Sequence, residues 1–208
     1  MSDLAGAAEK SPHNKITLRT QLLTARRSLS ATDRSDAARQ LQDQTLALVR
    51  RKTPSTLAAY VPSGSEPGGP DLPDVLRAAL PPGGRLLLPV LLPDNDLDWA
   101  EHTGTLTTGR RGLLEPIGPR LGVTALRSAD LILVPALAVG RDGLRMGRGG
   151  GSYDRALSRL LTPAGSPGPL VVALLHDHEA LDEVPAEPHD RPVHGVITPT
   201  AGFTPRPA

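Results

Sequence analysis

Apolar residues along this chain fall into short continuous runs, separated by segments whose apolar positions suit helices. Five runs are short and apolar enough to be buried strands, and they lie at 56–61, 85–92, 131–139, 170–175 and 193–198. Predicted helices lie at 15–29, 30–51, 71–80 and 152–161. Strands that alternate with helices are typical of a mostly parallel sheet with helices on both faces. We therefore expect a single three-layer α/β domain.

Local signals refine some of these elements. Ser30 to Asp33 has the form of a capping box, which predicts the start of the second helix, and Asp71 is a predicted helix cap. Pro89 lies inside the second apolar run, which predicts an edge strand or a bulge. The polar segment 94–108 is a candidate hairpin. We expect 112–119 to be irregular and 163–169 to be a linker.

The domain is expected to span residues 14–200, after a disordered extension at 1–13 and before a tail at 201–208. The 208 residues of the whole chain suit one domain, and 38% hydrophobic with 22% charged residues is a globular composition. A net charge of +1 gives no field that would attract nucleic acid, and no apolar run could span a membrane. With no signal peptide at the N-terminus, we expect a cytoplasmic monomer with neither nucleic-acid nor membrane partners. The absence of cysteine excludes disulfides, thiolate catalysis and cysteine zinc sites.

The stretch most suggestive of chemistry is LRMGRGGGSYD at 144–154, between an apolar strand and a predicted helix. A glycine loop in this position can direct backbone N–H groups at phosphates, and glycines allow close approach and positive φ. Its GxGxG spacing is neither the phosphate loop that ends in Lys-Ser or Lys-Thr nor the GxGxxG dinucleotide fingerprint. From spacing alone, a flexible surface loop with solvated arginines is the other interpretation.

Other polar residues also follow predicted strand ends. Glu66 comes just after the first strand, the glycine loop after the third, and the segment 176–190 after the fourth. In parallel sheets ligands bind beyond the carboxyl ends of the strands, so these residues can converge on one cleft.

The wording of 131–157, LILVPALAVGRDGLRMGRGGGSYDRAL, resembles the signature of 5-formyltetrahydrofolate cyclo-ligases, also called 5,10-methenyltetrahydrofolate synthetases. In that family an apolar strand ending Val-Pro-Ala-Leu-Ala precedes a D-x-x-G-x-R-L-G-x-G-x-G-x-Y-D segment. Here Asp142 is followed by Gly143, Arg145, Gly147, Gly149, Gly151, Tyr153 and Asp154. Weaker matches lie at Lys15 and Arg19, at Tyr60, Pro62 and Glu66, at Glu115-Pro116, and from His189 to Val193 with Ile197-Thr198.

The resemblance implies an enzyme that converts 5-formyltetrahydrofolate, with ATP and Mg²⁺, to 5,10-methenyltetrahydrofolate, ADP and phosphate. ATP would phosphorylate the formyl oxygen, N10 would attack the resulting iminium phosphate, and phosphate would leave. Its partner is thus a reduced folate, and its fold a single three-layer α/β domain. The catalytic candidates are Lys15, Arg145 and Arg148, because such a reaction depends on alignment and charge neutralisation.

Residues that suit the chemistry implied by the resemblance are candidates for binding. The expected nucleotide site comprises Lys15, Arg19, Arg145, Met146, Gly147, Arg148, Gly149, Gly150, Gly151, Ser152 and Tyr153. The expected folate contacts are Glu66, Tyr153 and Trp99, and the expected Mg²⁺ ligands are Asp154 and Asp190. Structural roles without ligand binding remain open for several residues: exposed bases for Lys15 and Arg19, a loop acid for Glu66, a turn residue for Asp190, and core packing for Tyr153 and Trp99.

Three departures from the family pattern fall mainly on the expected folate pocket. Ser152 and His176 stand where the family usually has aromatic residues, and Glu179 stands where many members have Gln. A second hypothesis is therefore a non-catalytic or retasked relative that binds nucleotide or folate as a sensor or partner protein. His176 and His178, with Asp177, lack a clear third ligand, so we expect loop histidines rather than a metal site.

Overall fold

The computed structural model describes residues 12–160, 168–187 and 190–207, with side chains from Lys15 onward. Most of the predicted 163–169 linker lies outside the described residues. The predicted N-terminal extension up to residue 11 and His189 also lie outside them. The described α-helices are α1 (Pro12–Ser28), α2 (Ala31–Lys52), α3 (Leu72–Ala79) and α4 (Ser152–Ser158). None of them is both long and apolar enough to cross a lipid bilayer.

Within the described residues, seven strands form the main sheet. In chain order they are β1 (Thr56–Ala58), β2 (Arg85–Leu91), β3 (Leu97–Glu101), β6 (Leu131–Pro135), β9 (Leu170–Leu174), β10 (Gly195–Thr198) and β11 (Gly202–Pro205). Two short antiparallel pairs lie beside it: β4 (Leu106–Thr108) with β5 (Leu114–Pro116), and β7 (Ala138–Val139) with β8 (Arg145–Met146).

The spatial order of the main sheet is β11-β10-β9-β6-β1-β2-β3. The five strands from β10 to β2 are parallel, and the edge strands β11 and β3 are antiparallel to their neighbours. All five predicted apolar runs supply these parallel strands, which confirms the mostly parallel α/β sheet.

Side chains along β6 show why both faces of the sheet are covered. Leu131 and Leu133 pack into a cluster with residues of α2 and α3, whereas Ile132 and Val134 pack into a second cluster with residues of α4. Successive side chains of a strand point to opposite faces, so a continuous apolar run needs a layer on each side. The predicted three-layer arrangement is therefore present.

The predicted start of α2 is confirmed. The Ser30 hydroxyl accepts a hydrogen bond from the Asp33 backbone N–H at 3.0 Å, which satisfies one of the free donors of the first turn. Asp71 occupies the position before α3 but makes no side-chain capping bond; instead its carboxylate accepts from Gln42 Nε2 at 2.8 Å.

Several element predictions were wrong. The run 131–139 is broken into β6 and β7, and β1 ends at Ala58, three residues before the predicted end. Pro89 is in neither an edge strand nor a bulge: β2 lies between β1 and β3, and Pro89 is in register with Trp99 of β3. Its missing N–H is tolerated because β1 is in register with β2 only up to Leu87.

Two segments expected to lack strands contain them. The segment 112–119 includes β5, which pairs with β4 to form a hairpin across Leu106–Pro116. The segment 201–208, expected to be a tail, contains β11, which pairs with β10 over four residue pairs. The candidate hairpin at 94–108 instead contributes edge strand β3 and the first strand of the 106–116 hairpin.

Candidate functional site

A cleft of about 580 Å³ opens beyond the carboxyl ends of β1, β2 and β6. The residues predicted to bind nucleotide, folate and metal line it, with the exception of Met146 and Trp99. The lining residues on which the site depends are Lys15, Arg19, Glu66, Arg145, Gly147, Arg148, Gly149, Gly150, Gly151, Ser152, Tyr153, Asp154 and Asp190. The structure thus brings most of the predicted residues together in one place.

The glycine loop has a backbone that requires glycine at two points. Gly149 has φ 100° and Gly151, which precedes α4, has φ 68°, and both values lie in the region that side chains rarely adopt. At Gly147 the constraint is space, because a Cβ atom there would lie 2.8 Å from Arg145 Nη1. The loop is therefore a defined structure rather than a flexible surface segment.

Arg145 lies beneath this loop and is 3% exposed. Its Nη2 donates to Asp154 Oδ1 at 2.6 Å, and Nη1 reaches Pro135 O at 3.5 Å. Its buried Nε has no hydrogen-bond partner among the described residues. A buried guanidinium with one unused donor beside a glycine loop suits an anionic ligand.

Helix α1 closes another side of the site. Lys15 is 3% exposed, and its Nζ lies 2.7 Å from Asp190 Oδ2 and 3.1 Å from Glu187 Oε2. Arg19, one turn later, donates from Nε to Gly147 O at 3.1 Å. Lys15 and Arg19 are therefore not two solvated bases but a pair of cations that face the cleft.

Glu66 is held just past β1. Its Oε2 accepts from the Ser63 backbone N–H at 2.9 Å, and Oε1 lies 3.4 Å from Arg148 Nη1. Arg148 is the most solvent-accessible of the predicted catalytic cations, with 57% of its side chain exposed. One Glu66 oxygen is thus bonded within its own loop. The other lies near the long, exposed side chain of Arg148 at the mouth of the cleft.

Tyr153 both lines the cleft and packs against the two core clusters. Its hydroxyl is buried without a partner in the described part of the chain, and burial raises the pKa of this phenol. Tyr60 lies in the same cleft and donates to Pro67 O at 2.6 Å, and burial likewise raises its pKa. Both phenols stay neutral near pH 7, so each hydroxyl can donate or accept a hydrogen bond and each ring can stack.

Two predicted binding residues lie outside the cleft. Trp99 is fully buried in the cluster that packs α4 on the sheet, and Met146 is fully buried beside Leu22 and Leu137. Neither side chain is among those lining the cleft. The core-packing interpretation of Trp99 therefore fits its position, and Met146 can contribute only backbone groups to the glycine loop.

The metal candidates Asp154 and Asp190 both line the cleft, each bonded to a cation. Asp190 also accepts from the Glu187 backbone N–H at 2.8 Å, which fits the alternative of a turn residue as well. Among the described residues, no group of three or more histidine, aspartate or glutamate side chains is placed to hold a metal ion. A cation here would have to take most of its ligands from phosphate oxygens and water.

Sequence reasoning missed Arg26 as a residue of the site. Arg26 lines the cleft from α1 and is paired with the fully buried Glu179. A signal was present, since Lys15, Arg19 and Arg26 are spaced by four and seven positions, which places them on one helix face. A second cavity of about 500 Å³ adjoins this region and shares Arg26, Ser63, Glu66 and Arg148 with the first.

Sequence reasoning also missed the hairpin 106–116 as part of the cleft. Arg111, Leu113, Leu114 and Glu115 line it from the turn and second strand of that hairpin. Leu113 and Leu114 are 36% and 44% exposed, which leaves apolar surface available to a planar ligand. The sequence signal was weak because this segment is short and rich in glycine, proline and arginine.

Comparison with known proteins gives a consistent result. The model of the 5-formyltetrahydrofolate cyclo-ligase family matches residues 11–199. The chain is 43% identical over 199 residues to a 5-formyltetrahydrofolate cyclo-ligase of Mycolicibacterium smegmatis, covering 93% of this chain and 97% of that protein. It is 33% identical over 122 residues to the Escherichia coli K12 protein of the same name, covering 57% of this chain and 65% of that one.

Solved structures show the same fold. The NMR structure of Aquifex aeolicus 5,10-methenyltetrahydrofolate synthetase superposes with a TM-score of 0.70 at 26% identity, covering 92% of this chain and 91% of that one. A 5,10-methenyltetrahydrofolate synthetase from Mycoplasma pneumoniae gives a TM-score of 0.68 at 20% identity, covering 89% and 99%. The single α/β domain is thus shared with both.

Proposed function

Because the chain belongs to the 5-formyltetrahydrofolate cyclo-ligase family, we propose that it converts 5-formyltetrahydrofolate to 5,10-methenyltetrahydrofolate with consumption of ATP in the presence of Mg²⁺. One observation carries the proposal: the cations Lys15, Arg19 and Arg145 meet at the glycine loop in a cleft that also holds Glu66 and exposed leucines. Phosphates and a partly apolar ring system can therefore bind side by side.

The reaction joins N10 of the folate to the formyl carbon, whose oxygen is a poor leaving group. ATP supplies the γ-phosphoryl group, which the formyl oxygen accepts as ADP departs. N10 then attacks the activated carbon, the C–O bond breaks, and that oxygen leaves as part of inorganic phosphate. Little covalent work falls to the protein, so its contribution is alignment and charge neutralisation.

Lys15, Arg19, Arg145 and Arg148 suit that contribution. Two of them, Lys15 and Arg145, are nearly fully buried, where an ionic contact to phosphate is much stronger than in water. Arg148 is exposed, and its side chain is long enough to leave its ion pair with Glu66 and bind a phosphate oxygen instead. The loop backbone at Gly147, Gly149, Gly150 and Gly151, with the start of α4 at Ser152, would approach the phosphates without side-chain obstruction.

Asp154 and Asp190 are the proposed Mg²⁺ ligands. Both carboxylates border the same cleft, and hard cations prefer such oxygens together with phosphate and water. When the ion is bound it would neutralise phosphate charge, while Arg145 and Lys15 hold the two carboxylates in place through their ion pairs.

Glu66 and Tyr153 are the proposed contacts to the reduced folate. Glu66 Oε2 is fixed by the Ser63 N–H, so Oε1 can accept from ring N–H groups once Arg148 turns to phosphate. The departure at Glu179 does not favour the non-catalytic alternative, because Glu179 is used structurally by Arg26.

The test is the absorbance of the methenyl-folate product, measured with purified protein, 5-formyltetrahydrofolate, ATP and Mg²⁺. We expect a rise only when every component is present. Lys15→Ala and Asp154→Ala should abolish it, whereas Lys52→Ala, which removes an exposed lysine at the end of α2, should not. Nucleotide binding without any absorbance change in the wild type would reject catalysis and favour the sensor or partner hypothesis.

A further inference from the structure

The glycine loop and the hairpin 106–116 both line the cleft, and one residue outside the cleft connects them. Asn95 lies in the turn between β2 and β3. Its side-chain Oδ1 accepts from Arg111 Nη2 at 2.7 Å, and Arg111 lies in the hairpin turn. Its backbone carbonyl accepts from Arg155 Nη2 at 2.6 Å. Asn95 thus uses two different oxygens to hold two different parts of the site.

Arg155 continues the connection to the loop. The same Nη2 that donates to Asn95 O lies 3.3 Å from Gly150 O, in the middle of the glycine loop. A line of contacts therefore runs from Gly150 through Arg155 and Asn95 to Arg111. Each link involves a guanidinium, and hydrogen bonds from a charged donor are stronger than neutral ones.

The turn that carries Asn95 is itself fixed to α4. The Leu92 N–H donates to Asp96 O at 2.9 Å, and the Asn95 N–H donates to Leu92 O at 3.1 Å. The Asp96 carboxylate pairs with both Nη groups of Arg159, just after α4, and this contact lowers the pKa of that carboxyl. The turn is therefore bonded to the end of the helix that follows the glycine loop.

Asn95 and Arg111 both have a positive φ. Asn95 has φ 65° and Arg111 has φ 55°, values that asparagine tolerates better than most residues and that an arginine seldom adopts. Both side chains are thus presented from tight turns. The hairpin has only short strands of its own, so a bond from its turn to Asn95 restricts where Leu113 and Leu114 can lie.

We propose that Asn95 is a positioning residue that holds the hairpin 106–116, through Arg111, at the spacing from the glycine loop that the reduced folate requires. Asn95 itself is not among the residues that line the cleft. The inference rests on the proposed function, which identifies the substrate as a reduced folate. Its new element is that Asn95 fixes the position of the hairpin rather than that of the glycine loop.

The test compares two variants that remove the same contact from its two ends. Asn95→Gly keeps the positive φ and the backbone carbonyl that binds Arg155, but removes the acceptor for Arg111. Arg111→Ala removes the donor. We expect each to raise KM for 5-formyltetrahydrofolate by about tenfold, the effect of one charge-assisted hydrogen bond, with the affinity for ATP unchanged within about twofold. The double variant should be no worse than either single one.

Arg110→Ala is the matched control, since Arg110 neighbours Arg111, is exposed, and does not line the cleft. It should leave KM unchanged. If Arg111→Ala raises KM while Asn95→Gly does not, Arg111 binds the substrate directly and the proposal is wrong. Additive effects in the double variant would also overturn it.

A second readout does not depend on turnover. In Asn95→Gly the backbone amides of 106–116 should exchange hydrogen faster than in the wild type, while those of β6 should not change. Unchanged exchange in the hairpin would overturn the positioning role. If the wild type makes no methenyl product, the proposed function fails, and this exchange measurement still decides whether Asn95 anchors the hairpin.

Discussion

Arg26 and Glu179 form an ion pair at the inner end of the cleft, with side chains 2% and 0% exposed. Arg26 Nε lies 2.6 Å from Glu179 Oε1, and Nη2 lies 2.9 Å from Oε2, so the guanidinium and carboxylate meet through two parallel bonds. Nη2 also donates to Ala136 O, and Glu179 Oε2 accepts from the His176 N–H. The pair therefore ties α1 to the loops after β6 and β9.

Removing one partner of this pair should destabilise the protein strongly. Arg26→Leu leaves Glu179 as a buried carboxylate without a cation, a change that typically costs roughly 3–5 kcal/mol of unfolding free energy. Urea denaturation measures the loss. The double variant Arg26→Leu with Glu179→Leu should recover part of it, because neither charge is then left alone. Arg27→Ala, one residue away on the exposed side, should stay within about 0.5 kcal/mol of the wild type.

The glycine loop should tolerate alanine at one position and not at its neighbour. Gly149→Ala forces a side chain into φ 100°, which costs roughly 1–3 kcal/mol of backbone strain, so the loop should shift and ATP affinity should fall. Gly150 has no positive φ, and a Cβ there meets only Ser152 Oγ at an ordinary 3.7 Å. Calorimetric titration with ATP measures and compares the ATP affinity of the two variants. Equal losses would mean that close phosphate approach, not loop shape, sets the affinity.

Most of the parallel sheet was predictable because each of its strands is buried on both faces. Such strands are continuous apolar runs, as at 131–135 and 170–174, and no neighbouring element is needed to recognise them. Strand β11 was not predictable in this way. Its segment, Gly202–Pro205, has a single large apolar residue, and it is a strand only because its backbone pairs with β10.

The candidate site could likewise be predicted only in part from the sequence. The glycine loop is contiguous in the chain and could be recognised from its amino-acid sequence alone. The Lys15–Asp190 and Arg26–Glu179 pairs join residues 175 and 153 positions apart, and no local pattern specifies which base meets which acid. Trp99 was assigned to the folate from residue type, whereas its position in β3, an edge strand facing the core, determines its burial.

Trp99 should matter for stability rather than for folate binding. It is the only tryptophan in the chain and is fully buried, so Trp99→Ala should lower the unfolding free energy by roughly 3–5 kcal/mol. Trp99→Phe keeps an aromatic core residue and should remain folded, with KM for 5-formyltetrahydrofolate near the wild-type value. A large rise in KM for Trp99→Phe with little loss of stability would instead place the indole against the substrate.

Acidification should weaken the fold through His176. The ring is 7% exposed, and burial lowers its pKa in the folded protein. Because the unfolded chain then binds the proton more readily than the folded one, stability should be full above about pH 6.5 and should decrease as the pH falls below that value. The charged and titratable groups near the ring are Glu179, Arg26 and His178.

Thermal unfolding at pH 8.0 and 5.5 measures this dependence. His176→Phe keeps a ring of similar size that cannot be protonated, so its Tm should fall less than the wild-type Tm between the two pH values. His178→Asn is the control, because the His178 side chain is 43% exposed whereas His176 is buried. If His178→Asn reduces the pH dependence and His176→Phe does not, the exposed ring of the stacked pair is the one that titrates on unfolding.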